Sequence, residues 1–465
     1  MTPQPSRSAD QPAPSRGEPR ELTLAVGAPA HGGHCVARPV DDPSGRVIFV
    51  RHALPGETVR ARLTEMTSRT WRADAVEILQ ASPDRVESVW PEAGPAGVGG
   101  GELAHVALDA QRTWKRWVLA DCLRRIGGQE VADAVAALPE ASAAAAVPIE
   151  PMPTDAAAQA SSSARRRALA GTATRTRVSL TVGEDGRPGM HAFRSGTVLP
   201  LRRLPLAVDA ITEIGLLERS RWRAHYRPGM RIEAIAPSGG EPVVLLDERL
   251  LTAQARSTGR RRVREVVDAS ALGLGELTYS VHAEGFWQVH VDAPRVLVER
   301  VVRGALGADL DGAAGSRVLE LYSGAGLFTL PLAALVGSGG EVVSLEGNEQ
   351  AVRDARRTLH DQPSARLASG RVSARSVREL AGSLTGGRPD VVVLDPPRQG
   401  AGREVIEAVG ALGAERIVLV ACDPAALARD LGTLLRSGYA LGSMSALDMF
   451  PHTHHFETIA VLDRV

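Results

Sequence analysis

Cysteine, lysine and aromatic residues are all scarce in this chain of 465 residues. Its three cysteines, Cys35, Cys122 and Cys422, lie far apart and form no Cys-x-x-Cys pair. That pattern argues against a disulfide framework and against a structural zinc site, but it leaves room for one reactive thiol. Lys115 is the only lysine among 54 basic residues, so arginine supplies nearly all the positive charge.

Long apolar runs and net charge are also missing. No run reaches the roughly 18 residues that a membrane span needs, and the first twenty residues lack the apolar core of a signal peptide. We therefore expect a cytoplasmic protein without membrane association, and no obligate protein partner is evident. The net charge is zero, so no global field attracts nucleic acid. Arginine runs such as Arg165–Arg167 and Arg260–Arg262 could attract nucleic acid locally, although most runs of charge are simply solvent-exposed surface.

The chain is organised around a predicted strand, turn and helix between Val318 and Val336. Val318–Leu321 forms an apolar strand, and the turn that follows contains Gly324 and Gly326. Glycine lets a ligand approach the backbone closely, and the helix start offers unpaired N–H groups. The next strand ends in Glu346, about twenty residues on, where a carboxylate suits ribose hydroxyls. These features predict a nucleotide cradle, although two glycines alone are a weak signal.

Three further polar motifs each follow an apolar strand. They are Asp395-Pro-Pro-Arg398, Ala421-Cys-Asp-Pro424 and the segment from Phe450 to Glu457. In an open α/β sheet, ligands bind in the loops beyond the carboxyl ends of the strands. The pattern therefore predicts an α/β domain whose site lies along one edge of the sheet.

Four regions are predicted in order along the chain. Residues 1–20 form a disordered arm, and residues 21–86 form a small β-barrel because short alternating strands are separated by Gly and Pro turns. Residues 87–278 form a mixed α+β central domain with an Ala/Pro-rich linker near 131–163 and a helix over 208–223. Residues 279–465 form the α/β domain.

Three segments of the chain resemble motifs of the RNA uracil-5-methyltransferase family: Gly285–His290, Asp395–Gly400 and Leu447–Glu457. These enzymes use S-adenosyl-L-methionine to make 5-methyluridine in transfer RNA and large-subunit ribosomal RNA. The resemblance covers nearly the whole chain. It implies a TRAM domain, an oligonucleotide-binding barrel, at residues 21–86, a central RNA-binding domain, and a Rossmann-like class I methyltransferase domain at the end. It also implies an rRNA or tRNA partner.

The resemblance also implies roles for individual residues. Carbon 5 of uracil is a poor nucleophile until a thiolate adds to carbon 6, and a base must later remove the proton from carbon 5. Cys422 matches the family's nucleophile and Glu457 the base. Contacts with S-adenosyl-L-methionine are expected from Gln288, Tyr322, Gly324, Glu346 and Asp395.

The chain departs from the family pattern at several positions. Val98-Gly-Gly-Gly101 stands where many members have Cys-Gly-Gly-Cys, so we expect no iron–sulfur cluster. Asp423 replaces an asparagine beside the nucleophile and would raise the thiol pKa if it faced the sulfur, whereas Arg398 would lower it. The histidines of the last motif are expected to position their loop rather than to bind metal.

Two alternatives stay open. The chain could be a non-catalytic RNA-binding protein on the same scaffold. It could also be an exocyclic-amine methyltransferase that uses Asp395-Pro396-Pro397, although Arg398 then replaces an aromatic residue and Cys422 and Glu457 have no role.

Overall fold

The computed structural model describes residues 20–141, 146–310 and 313–465. The predicted N-terminal arm lies outside these residues, apart from Arg20. Two compact units are present: one extends to Ala30 and includes His34–Pro83, and the other comprises His31–Gly33 and Asp84–Val465. Within the described residues, no helix has the length and apolar character needed to cross a membrane.

The first unit is a closed five-stranded barrel. Its strands are β1 (Glu21–Ala30), β2 (His34–Pro39), β3 (Ile48–Arg51), β4 (Thr58–Met66) and β5 (Trp71–Gln80). They pair in the order β1-β2-β3-β5-β4, and β1 closes the barrel on β4. Alternate side chains such as Leu24 and Val59 fill the interior, which is the period expected of strands with one buried face. The predicted small barrel is confirmed.

The second unit contains sixteen further strands and twelve helices within the described residues. The strands are β6 (Ile149–Pro151), β7 (Arg177–Val182), β8 (Pro188–His191), β9 (Val198–Pro200), β10 (Arg231–Ile235), β11 (Val243–Leu246), β12 (Arg249–Thr252), β13 (Arg262–Asp268), β14 (Glu276–His282), β15 (Arg317–Leu321), β16 (Glu341–Glu346), β17 (Ala365–Ser369), β18 (Val391–Leu394), β19 (Arg416–Ala421), β20 (Tyr439–Asp448) and β21 (Glu457–Arg464). The helices are α1 (Leu108–Arg125), α2 (Gln129–Ala136), α3 (Pro153–Gln159), α4 (Ala164–Ala168), α5 (Asp209–Thr212), α6 (Ser220–Arg223), α7 (Ala293–Leu306), α8 (Thr329–Val336), α9 (Glu349–Thr358), α10 (Ala374–Gly382), α11 (Arg403–Ala411) and α12 (Pro424–Arg436).

The central part of this unit is built on antiparallel strands. A six-stranded sheet has the order β12-β11-β10-β7-β8-β9, and β13 pairs with β14. The helix expected over 208–223 is instead two single-turn helices, α5 and α6. Gly215 lies between them with a φ of 74°, a left-handed conformation that ends a helix.

The last part is an eight-stranded sheet covered by helices on both faces. The strand order is β17-β16-β15-β18-β19-β21-β20-β6, and β21 alone among these strands runs antiparallel to its neighbours. Successive residues face opposite layers: Val318 packs in the core that contains α7, and Leu319 in the core that contains α11 and α12. The predicted Rossmann-like α/β fold is confirmed.

The segment predicted as an Ala/Pro-rich linker is more ordered than its composition suggests. It contains α3 and β6, and β6 pairs in parallel with β20 at the edge of the eight-stranded sheet. Ile149 lies opposite Ala446 and is buried, and Met152 is fully buried. These apolar side chains complete the core, which the local composition does not reveal.

Candidate active site

A cavity of about 1240 Å³ opens at the carboxyl ends of β15, β16, β18 and β19. Strand ends of a parallel sheet meet at one edge, so motifs far apart in sequence come together there. Every residue predicted for the site lines this cavity: Gln288, Tyr322, Gly324, Glu346, Asp395, Cys422 and Glu457.

The glycine turn after β15 is held by the neighbouring strand. Tyr322 has a φ of 64° and donates its N–H to Leu345 O at 2.9 Å. The Glu346 carboxylate accepts from Gly324 N at 3.0 Å and from Asn348 N at 2.6 Å. A Cβ added at Gly324 would meet no atom within 4 Å, so the backbone of the turn faces open cavity. The turn can therefore receive a ligand in close contact with the main chain.

Gln288 and Asp395 lie on separate segments of the cavity wall. Gln288 is 8% exposed and follows Trp287, whose ring packs against Tyr279 with a centroid distance of 5.1 Å. Asp395 directly follows β18. Burial raises the pKa of Asp395 to about 7, because its charged form loses hydration there.

Strand pairing brings Cys422 and Glu457 together. Ala421 is opposite Thr458 in the antiparallel β19–β21 pair, and Thr458 Oγ1 donates to Ala421 O at 2.7 Å. Cys422 and Glu457 are the residues directly next to this last pair, and both line the cavity. Their juxtaposition therefore follows from backbone pairing, although 35 positions separate them in the chain (457 minus 422).

Burial and neighbouring charges perturb the pKa values of both groups. Burial, followed by the charges of Glu457 and Asp395, raises the pKa of the Cys422 thiol to about 12. Arg398 acts in the opposite direction but is outweighed. Burial and the charge of Asp395 hold the pKa of Glu457 well above its usual range. Glu457 Oε1 is buried and makes no hydrogen bond within the described part of the chain, so this oxygen is free to accept one from a ligand.

Asp423 is oriented toward α12. Its carboxylate caps that helix by accepting from Ala425 N at 3.0 Å and Ala426 N at 2.8 Å. The charges that raise the pKa of Cys422 are those of Glu457 and Asp395. Capping therefore explains an acidic residue beside the thiol, because Asp is a favoured N-cap.

The three histidines of the last motif have different surroundings. His452 is buried against Gln111, His454 lies 3.7 Å from Glu102, and His455 lines the cavity. Within residues 20–141, 146–310 and 313–465, no group of three or more Cys, His, Asp or Glu is arranged to hold a metal ion.

Sequence reasoning assigned no role to two residues that the structure places at the site. Phe286 is 76% exposed at the cavity wall, and Thr453 also lines it. Because the Phe286 ring is largely exposed and stands at the cavity wall, it is accessible to a ligand there. Phe286 lay within a motif already singled out, but nothing in the sequence distinguished its exposure from the burial of Trp287.

Comparison with known proteins defines the class. The structure of the tRNA (uracil-54, C5)-methyltransferase of Pyrococcus abyssi shares the fold, with a TM-score of 0.62 and 20% identity over 94% of this chain and 99% of that one. A family model described as tRNA (Uracil-5-)-methyltransferase matches residues 276–465, and a TRAM domain model matches residues 18–76.

Relatives that match over nearly their whole length support the same class of enzyme. An uncharacterized RNA methyltransferase of Streptomyces avermitilis is 38% identical over 95% of this chain and 98% of its own length. A 23S rRNA (uracil(1939)-C(5))-methyltransferase RlmD of Acinetobacter baumannii is 30% identical over 94% of this chain and 93% of its own. The chain belongs to the RNA (uracil-5-)-methyltransferase family of S-adenosylmethionine-dependent enzymes.

Proposed function

We propose that this enzyme methylates carbon 5 of a uridine in structured ribosomal or transfer RNA, with Cys422 as nucleophile and Glu457 as base. One observation carries the proposal: Cys422 and Glu457, which adjoin the last residue pair of the β19–β21 ladder, line the same cavity as the glycine turn. The RNA class follows from the relatives named above, and it makes the cytoplasm the expected compartment.

The residues of the cavity suit S-adenosylmethionine. Glu346 would accept from the ribose hydroxyls, the open backbone at Gly324 would lie against the ligand, and Gln288 and Asp395 would flank its charged end. When bound, S-adenosylmethionine supplies a methyl group activated by the positive charge on its sulfur.

Cys422 and Glu457 carry out the steps on the uracil ring. The Cys422 thiolate forms a bond to carbon 6, and the displaced π electrons make the ring an enolate that is nucleophilic at carbon 5. Once carbon 5 bears the methyl group, Glu457 removes its proton. The electron pair left behind re-forms the carbon 5–carbon 6 double bond, the carbon 6–sulfur bond breaks, and Cys422 leaves as thiolate.

The first step also needs a proton acceptor. With a pKa of about 12, the Cys422 thiol is protonated in the free enzyme at neutral pH. Asp395, whose pKa is about 7, is partly ionised there and lies in the same cavity. We infer that the thiol proton passes to this carboxylate when the substrates bind.

Cofactor affinity should depend on pH through Asp395. Since its pKa is raised to about 7, the group is neutral below that pH and anionic above it. An anion attracts the cationic cofactor, so the affinity for S-adenosylmethionine should rise about fivefold between about pH 6 and pH 8. Calorimetric titration checks this, and the Asp395→Asn variant should show a flat profile. An equally steep profile in that variant would assign the effect to another carboxyl group, either Glu457 or the buried Glu320, whose pKa burial raises to about 7.

The RNA class can be tested directly. Incubation with labelled S-adenosylmethionine and separate pools of unmodified transfer RNA and ribosomal RNA should give 5-methyluridine in one pool, detected by nucleoside mass spectrometry. The target base must leave its stack to reach Cys422, at a cost of about a few kcal/mol, so duplex RNA should be a poor substrate. Label on an exocyclic amine, or RNA binding without label in either pool, would overturn the proposal.

A further inference from the structure

Lys115 lies in the interior of the second unit. Its side chain is completely buried on α1, where the ammonium group forms an ion pair with the Asp448 carboxylate. It also donates to Phe450 O at 3.1 Å. Asp448 is itself only 2% exposed and is the last residue of β20. The only lysine of the chain therefore makes an internal contact and is not available at the surface.

A lysine here is unexpected in a chain otherwise supplied with arginine. Burying two charges removes both from water, and burial lowers the pKa of Lys115 despite the carboxylate opposite. A compact ammonium brings its donors to a single point and takes up less space than the broad planar guanidinium. Lysine therefore suits a completely buried position beside Asp448 and Phe450.

Gln111 lies one turn before Lys115 on the same face of α1. Its amide nitrogen donates to Val106 O at 2.8 Å, and its oxygen accepts from His452 N at 2.7 Å. His452 has a φ of 65°, a conformation that a non-glycine residue keeps only when its surroundings fix it. Together, Lys115 and Gln111 hold residues 448, 450 and 452 from the protein interior.

Phe450 and His452 belong to the loop between β20 and β21, residues 449–456, which we call the base loop, and Asp448 is the strand residue directly before it. Phe450, Thr453 and His455 of the base loop line the cavity, and Glu457 follows it directly. The β19–β21 register fixes the position of the Glu457 backbone at the start of β21. Residues of the base loop line the same cavity as Glu457, whose side chain is buried, and that burial is the main cause of its raised pKa.

We propose that Lys115 is a positioning residue for the methylation reaction: through Asp448 and Phe450 it fixes the base loop and so the orientation and burial of Glu457. This inference rests on the proposed roles of Cys422 and Glu457. Lys115 is not among the residues that line the cavity, so its effect on the reaction is indirect. The step most sensitive to its loss is the removal of the carbon 5 proton.

The test replaces Lys115 by methionine, which has similar length and no charge. We expect kcat to fall about 10- to 100-fold, as for a misplaced catalytic group, while the KM for S-adenosylmethionine changes less than about twofold. The methylated RNA–protein adduct should accumulate and survive denaturing electrophoresis. Arg124→Met, on the exposed side of the same helix, should match the unmodified enzyme in every readout.

Unchanged kcat without adduct would overturn the inference, as would a parallel loss of kcat and cofactor binding in a variant whose circular dichroism shows that it is folded. If Lys115→Met does not fold, Asp448→Asn decides instead, because it keeps the shape of the pair and removes one charge. The proposed function has its own test: it fails if the Cys422→Ala variant still methylates RNA. Normal Lys115→Met kinetics in an enzyme that needs Cys422 would refute only the positioning role.

Discussion

Replacing Cys422 by alanine should abolish methyl transfer and leave the binding of RNA and S-adenosylmethionine nearly intact. Without the thiolate, carbon 5 never becomes an enolate carbon, so the loss should be at least about 10⁴-fold. Binding should persist because the glycine turn and Glu346 belong to other strands. Rates of label transfer, together with calorimetric affinities for both substrates, measure the two effects separately.

Cys122→Ala is the matched control. Cys122 is buried on α1, and burial raises the pKa of its thiol to about 12, as for Cys422, but it does not line the cavity. This variant should keep full activity. Methylation by Cys422→Ala at a rate within about tenfold of the unmodified enzyme would rule out the thiolate mechanism, because carbon 5 would then be activated without the thiol.

Replacing Glu457 by glutamine should trap the reaction after methylation. The amide cannot remove the carbon 5 proton, so the carbon 6–sulfur bond persists and the RNA stays attached to the protein. Turnover should fall about 10²- to 10⁴-fold, the range typical of a lost general base. A retarded band on a denaturing gel, carrying methyl label, reports the adduct.

Two further variants make this result specific. The Cys422→Ala, Glu457→Gln double variant should give no band, since no sulfur is present to hold the RNA. Glu349→Gln, at the exposed start of α9, should behave as the unmodified enzyme. A Glu457→Gln enzyme that turns over normally without an adduct would show that another group acts as the base, and Asp395 would then be the next candidate.

Local patterns were sufficient to predict the α/β fold and the edge of the sheet where the site lies. Apolar strands followed by polar motifs specify a parallel sheet, because strands buried on both faces are apolar and their carboxyl ends converge. The pattern did not say that β21 enters the sheet between β19 and β20. Pairing of strands from distant parts of the chain depends on packing and register, and the closeness of Cys422 and Glu457 follows from it.

Other features could not be predicted because they depend on long-range contacts. Lys115 and Asp448 are 333 positions apart, and neither lies in a motif that suggests the other. The orientation of Asp423 toward α12 was also hidden, since the sequence shows only that it adjoins Cys422. Burial is the main cause of the raised pKa values of Asp395 and Cys422, and the sequence does not show which side chains the folded protein buries.

The strand β6 limits how this enzyme could be divided. It covers the edge of β20 with residues from the part of the chain that precedes the central sheet. A fragment cut at Tyr279 would expose that edge, a template for aggregation, and would leave Asp448 buried without its ammonium partner. The methyltransferase half is therefore not an exchangeable module: genetic fusion or domain transplantation must carry the chain from Asp84 onward.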